Sequence, residues 1–431
     1  MVREGGTMHN GQNIRLIDLI SCLSDAMDFI DPAVVDHHKQ VAYIAYSLAA
    51  ELGLTLKEQK ELILAGSLHD IGAFSLKERK DTLAFEVRNP HGHARSGYAL
   101  LRLFEPLSAI ASIVRFHHVT WDSGTGREFM GQEVPFSSHI LHLSDRIAVL
   151  MDKKKEILGQ AKRVLTAIQK NADSMFSPEL VDVFRRVASR EYFWLDLSSP
   201  SIQTILSQRL RSAHIGTVSK DMLGFSELFS RIIDFKSPYT ATHSSGVAAS
   251  AEFLAQKAGF TQRECTAMRI AGYMHDLGKL AVPVEILDKP AHLSRNEYNI
   301  VRHHTFYTYR ILEPIAPLQT INAWASFHHE RLDGSGYPFH LKEKDLPLGS
   351  QVMAVADVFT ALTEDRPYRK GMRRSGAMKI LDDMRSSAAL NGDIVAMLRK
   401  HYNDLDAVRK HAQTDARRKY KDVDAARIAE H

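Results

Sequence analysis

The chain repeats itself, and a repeat has to be recognised before any fold is assigned. The stretch from His37 to Glu58 matches the stretch from His243 to Glu264. Each starts at a histidine, runs through a helix-like pattern to glycine, an apolar residue and threonine, and ends at glutamate. His37 and His243 lie 206 positions apart, and the pairs His69-Asp70 and His275-Asp276 keep that offset. His93 and His304, like His117-His118 and His328-His329, are separated by 211, and Asp145 and Asp357 by 212. Chance supplies one such match; five in the same order at nearly constant spacing indicate a duplication.

The local signals within the repeat are helical. Thr55 with Glu58, Thr261 with Glu264 and Ser294 with Glu297 each fit a capping box. Ser237-Pro238 reads as a cap followed by a first-turn proline, and Gly259 as the stop of that helix. Strand-like alternation is scarce. The expected fold is therefore all-α: two homologous helical bundles over 30–195 and 226–405. They follow an N-terminal segment, 1–29, that carries no readable chemistry. A helical linker, 196–225, with a turn near Gly216, joins the bundles, and 406–431 forms a charged helical tail read as a solvated end.

Composition excludes several classes. A formal charge of +4, dispersed along 431 residues, argues against a nucleic-acid polymer as partner. Two cysteines, Cys22 and Cys265, make no disulfide framework, which points to a reducing cytoplasm. No apolar run reaches the roughly 20 residues of a membrane span, and the first residues lack the apolar core of a signal peptide. What stands out is the 22 histidines, most of them in local clusters, some of which stand beside aspartates.

Divalent metals that hydrolyse phosphodiesters take imidazole and carboxylate ligands and leave positions open for water and substrate. In the second copy His243, His275, Asp276, His304, His328, His329 and Asp357 supply such a set. Asp276, directly after His275, has two oxygens with which to bridge a pair of ions. Two ions about 3.5–4 Å apart deprotonate a bridging water and take up charge from phosphoryl oxygens. Lys279, read as one helical turn beyond His275, is expected to meet the phosphate as a point charge. His328 and His329 are expected to point different ways from a helix. Each piece alone is weak, since a lone His-Asp or His-His pair is usually a surface pair; the fixed order carries the reading.

The second copy, from Phe235 to about His401, resembles the HD-GYP phosphodiesterases, a branch of the HD superfamily of metal-dependent phosphohydrolases. The resemblance rests on HDLGK at 275–279, HHERLDGSGYP at 328–338 and DVFTALTEDRPYR at 357–369. It implies an all-helical bundle, two or three iron or manganese ions, and hydrolysis of cyclic dinucleotides. Cyclic di-GMP is expected first and cyclic GMP-AMP second. His243, His275, Asp276, His304, His328, His329 and Asp357 match the family's metal ligands; Asp276 and Lys279 match its catalytic positions. Lys279, Tyr337, Arg366 and Arg369 match its substrate contacts. Trinuclear members carry a glutamate four residues before the first histidine, where this chain has Tyr239, so a dinuclear site is expected. Thr305 and Thr308 replace the family's proline and glycine. The resemblance also leaves room for protein partners at the GYP turn and for a homodimer.

In the first copy His37, His69, Asp70, His93, His117, His118 and Asp145 occupy the ligand positions. Ala73 stands where the second copy has Lys279, Val119 where it has Glu330, and no DRPYR follows Asp145. The expectation is a regulatory or structural unit, an ion- or ligand-sensing unit ranking second. For the whole chain the competing classes are an adaptor that binds the nucleotide without turnover, and a general nucleotide phosphohydrolase. Retained ligands and Lys279 speak against the first, and the DGSGYP turn against the second.

Overall fold

The computed structural model describes residues 14–28, 35–73, 78, 81–87, 90–211, 222–236, 242–365 and 369–428. The fold is all-α among them, its one sheet being a two-stranded hairpin that pairs Glu128–Phe129 with Gln132–Glu133. Two compact units form, one over Arg15–Thr217 and the other over Val218–Ala425.

All three capping boxes are present. Thr55, Thr261 and Ser294 each accept from the backbone N–H of the glutamate three residues on, which reaches back to the cap. Gly259 has φ +86°, the left-handed conformation expected just past a helix end. Ser237-Pro238, Tyr239 and Gly216 lie outside the described residues.

The duplication extends to packing. In the first unit the helix His37–Glu51 lies against Leu56–Leu68 and Phe136–Leu150; in the second, His243–Lys257 lies against Gln262–Met274 and Leu348–Thr363. Cores of leucine, isoleucine, valine and alanine close around these helices.

Three boundaries differ from the sequence expectation. The helix Leu16–Asp28 buries Leu19, Ile20 and Leu23 completely, so it belongs to the first unit's core and is no separate segment. The helix Ile202–Arg211, expected in the linker, buries Ile202, Leu206 and Leu210 in that same unit, while Met222–Lys236 buries Phe225 and Phe229 in the second. Apolar residues at helical spacing made both into core elements. The C-terminal helix Tyr402–Ile428 is also more than a solvated end: Leu405, Arg409 and Gln413 are buried along one face.

Candidate metal centre

In the second unit, five of the seven ligand candidates sit at a helix start or just past a helix end. His243 opens the helix His243–Lys257, and His275 and Asp276 follow the end of Gln262–Met274. His304 and Asp357 lie within Arg295–Leu312 and Leu348–Thr363. His328 and His329 come just after Gln319–Ser326 ends, in a turn and not on the helix expected for them. Lys279 likewise lies in a short 3₁₀ turn, Leu277–Ala281, not one α-turn beyond His275. The physical reason is geometric. Adjacent residues of an α-helix point about 100° apart, whereas a turn lets both enter one cluster. The rings of His328 and His329 are 4.2 Å apart by centroid.

The turn after His275 is built by close approach. A Cβ at Gly278 would fall 1.9 Å from the carbonyl oxygen of His304, so only glycine brings this turn against that helix. Thr308, a departure from the family pattern, fastens the contact. Its hydroxyl accepts from the Gly278 N–H at 2.9 Å and donates to the His275 carbonyl at 3.1 Å.

All seven candidate ligands converge. His243, His275 and Asp276 offer donor atoms within 4.8 Å of one another, and so do His304, His328 and His329. Asp276 spans the two groups: Oδ2 lies 3.2 Å from His275 Nε2, and Oδ1 lies 3.5 Å from His304 Nε2. Asp357 Oδ1 approaches His243 Nε2 at 3.1 Å and His275 Nε2 at 4.0 Å.

The donor chemistry fits metal ions. Nδ1 of His275, His304 and His328 stands 2.8, 2.7 and 2.6 Å from the carbonyls of Gly272, Val301 and Ala325. A carbonyl only accepts, so Nδ1 carries a proton in each, and in neutral His304 and His328 this leaves Nε2 as a bare lone pair. Yet Nε2 of His304 and Nε2 of His328 face each other at 3.3 Å. Two lone pairs at that distance repel unless a proton or a cation joins them. Burial holds His304 down to about 3 and His328 well below the ordinary imidazole value, which argues against the proton. Burial acts to raise the Asp276 carboxyl, but His275 and Lys279 outweigh it and keep it well below the usual carboxylate range.

The expected substrate contacts divide. Lys279 Nζ donates to Asp276 Oδ2 at 2.6 Å, with its side chain 19% exposed, so the ammonium lies on a candidate ligand at the cluster's edge. Tyr337 lies against His329 with the rings tilted by 37° and their centroids 5.0 Å apart, and the Arg302 guanidinium is 4.6 Å from its centroid. Arg369 donates from Nη2 to the Ala361 carbonyl at 2.6 Å. A guanidinium close to a helix's last carbonyls is drawn to them. Arg366 lies outside the described residues. Glu330, counted with the lost chemistry of the first copy, holds the GYP turn, accepting from the N–H of Phe339 at 2.6 Å and of Leu341 at 3.0 Å.

Sequence reasoning missed two buried carboxylates in this unit. Glu364 accepts from His243 Nδ1 at 3.1 Å and lies seven residues after Asp357, two turns along the same helix face, a spacing that could have drawn attention to it. Asp234, on Met222–Lys236, takes the Ser244 hydroxyl at 3.0 Å, and burial raises its carboxyl well above the usual range. No motif marks it.

The first unit gathers its own cluster. Asp70, His93, His117 and His118 offer donors within 4.8 Å of one another, and so do His37, His69 and Asp70. Nε2 of His93 stands 3.4 Å from Nε2 of His117 and 3.1 Å from that of His118. His37 Nε2 is 3.2 Å from Asp145 Oδ1. The surroundings differ. Thr82 Oγ1 donates to Asp70 Oδ2 at 2.8 Å, and the buried Arg146 guanidinium pairs with Asp145 Oδ2.

The HD domain family profile matches residues 21–180 and 227–394. The chain is 28% identical over 393 residues to "3'3'-cGAMP-specific phosphodiesterase 1" of Vibrio cholerae, covering 89% of this chain and 90% of that protein. It is 30% identical over 191 residues to a "Cyclic di-GMP phosphodiesterase" of Thermotoga maritima, covering 44% of this chain and 52% of that one. The crystal structure of a cyclic GMP-AMP-specific phosphodiesterase of V. cholerae superposes with a TM-score of 0.62 at 23% identity, over 91% of this chain and 98% of that one. At that identity the superposition speaks for the shared fold.

Proposed function

The chain belongs to the HD domain family, and on that footing we propose that its second unit is a metal-dependent phosphodiesterase that opens a cyclic dinucleotide. The observation that carries this is the pair of three-donor groups spanned by Asp276, buried but for His329, with the lone pairs of His304 and His328 turned toward one another. His243, His275 and Asp276 would hold one divalent ion, His304, His328 and His329 a second, and Asp357 would complete the first; iron and manganese both suit the set. Bound there, such ions supply Lewis acidity and an activated water.

The chain's own residues do the rest. Lys279 places a positive charge at the edge of the cluster, where it lowers the cost of bringing in an anionic phosphate and buffers the charge on Asp276. Tyr337 and Arg302 form a stacked pair beside His329, suited to a base or a phosphate. Glu330 and the close contact of Gly336 with the Glu330 backbone keep Tyr337 in that position.

The first unit is proposed to bind a divalent ion without turnover. Its donors persist, but Ala73 supplies no cation and Arg146 covers one oxygen of Asp145. A His69→Ala/Asp70→Ala double variant is expected to lose metal from this unit while turnover stays within a few-fold of wild type. A large loss of turnover in a folded double variant with normal substrate binding would overturn that assignment.

A relative whose match covers 89% of this chain is named for 3'3'-cyclic GMP-AMP, so that substrate comes first in the assay and cyclic di-GMP second. Purified protein with its metal content measured, incubated with each and resolved by chromatography, is expected to yield a linear dinucleotide or mononucleotides. Metal-loaded protein that binds either compound and leaves both intact would favour the adaptor reading instead.

A further inference from the structure

Three imidazoles of the second unit send Nδ1 to a carbonyl three residues back in their own segment. His243 does something else. It stands at the first position of its helix, and its Nδ1 meets both oxygens of Glu364, each at 3.1 Å, across 121 residues of chain. Glu364 is buried at the C-terminal end of Leu348–Thr363, and it also accepts from Gln413 Nε2 at 3.1 Å. The other end of that amide, Gln413 Oε1, accepts from the guanidinium of Arg409, which is 2% exposed and held in turn by Asp406 at 2.6 Å. Arginine only donates, so the Gln413 amide has one orientation here, with its NH₂ toward Glu364. Gly246, one turn along from His243, makes room for it: a Cβ there would fall 2.8 Å from Gln413 Nε2. Gln413 and Arg409 lie in Tyr402–Ile428, beyond residue 394 where the HD domain match ends.

We propose that Glu364 is a positioning residue for the metal centre, held in place by Gln413 and Arg409, so that the C-terminal helix is a working part of the site. The proposal rests on the reading of His243 as a metal ligand. A carboxylate that accepts the Nδ1 proton orients the ring and leaves Nε2, which meets Asp357 Oδ1 at 3.1 Å, as the nitrogen that would give up its proton to a metal ion and become a stronger donor for it. A backbone carbonyl gives the other histidines orientation but no negative charge. The buried chain Arg409–Gln413–Glu364–His243 thus ties the charge balance at one candidate ligand to a helix beyond the residues matched to the family.

The test is an equilibrium titration of the metal-stripped full-length chain with Mn²⁺, comparing wild type with Glu364→Ala, Glu364→Gln and Gln413→Ala, with helical content recorded for each. Glu364→Ala is expected to weaken the affinity by about 10- to 100-fold. Glu364→Gln, which keeps an acceptor for Nδ1–H, should recover part of that loss, and Gln413→Ala should lose several-fold in the same direction. Should Glu364→Ala lose its helical signal, the near-isosteric Glu364→Gln and the more remote Gln413→Ala decide the matter. Wild-type affinity in all folded variants overturns the proposal, as does an equal loss in the alanine and glutamine variants of Glu364. A wild-type chain that takes up no metal would instead bring down the metal-centre reading on which it rests.

Discussion

Nε2 of His304 and Nε2 of His328, facing each other as lone pairs, show how much of this site can be argued from single atoms. Seven scattered residues could be picked from the sequence because metal ligands must be imidazole or carboxylate and because the repeat marked them twice. What each neighbouring polar group faces could not be read in the same way. Glu330 looked like chemistry and turned out to brace a turn, whereas Glu364 passed unnoticed and touches a candidate ligand. A carboxylate's type says nothing about whether it faces a backbone N–H or an imidazole. Lys279 was expected to face phosphate, and its ammonium rests on Asp276. Since it is a charge beside the ligands and not a ligand, Lys279→Ala should keep its metal while turnover falls by roughly 100-fold, the scale on which removing one group that stabilises a developing oxyanion acts. Metal analysis beside steady-state rates checks this; loss of metal would show the lysine to be part of the binding site's framework.

Helix ends place five of the seven candidate ligands. Capping boxes at Thr55, Thr261 and Ser294 were legible because their spacing is local. The turn that carries His275 and Asp276 was not, because it depends on a contact with a helix some thirty residues on. The two glycines at equivalent places, Gly72 and Gly278, both press on the carbonyl of the next histidine-bearing helix, that of His93 in one unit and His304 in the other. Gly278→Ala must push these elements apart, at a cost of about 1–3 kcal/mol or more. The expected result is a lowered melting temperature together with weaker metal uptake, read by calorimetry and metal titration. An alanine variant that melts and binds like wild type would mean the turn does not set the ligand geometry. The linker and the tail were misjudged for a related reason: Leu206, Leu210 and Arg409 are buried by tertiary packing that local charge and composition do not reveal.

Across the whole molecule, the duplication was the most legible feature, because order and spacing survive where individual residues do not. The divergence between the units was legible only in part: Ala73 for Lys279 could be seen, Arg146 over Asp145 could not. Buried imidazoles in both units give the metal-free protein a defined acid response. Burial holds His69, His142 and His304 down to about 3, from an ordinary 6.5. As pH falls below 6.5 the unfolded chain takes up those protons while the folded chain does not until near 3, so stability is lost progressively across that window. The melting temperature of chelator-stripped protein should therefore decline steadily from neutral pH to about 4, and a flat profile would contradict the burial. The account as a whole stands most directly on Asp276, whose two oxygens span the two groups of donors. Metal content and cyclic-dinucleotide turnover measured together on wild type and Asp276→Ala decide it. The predicted result is metal and product for the wild type, with both lost in a variant of unchanged helical content. A metal-depleted Asp276→Ala protein that turns over at the wild-type rate would contradict it.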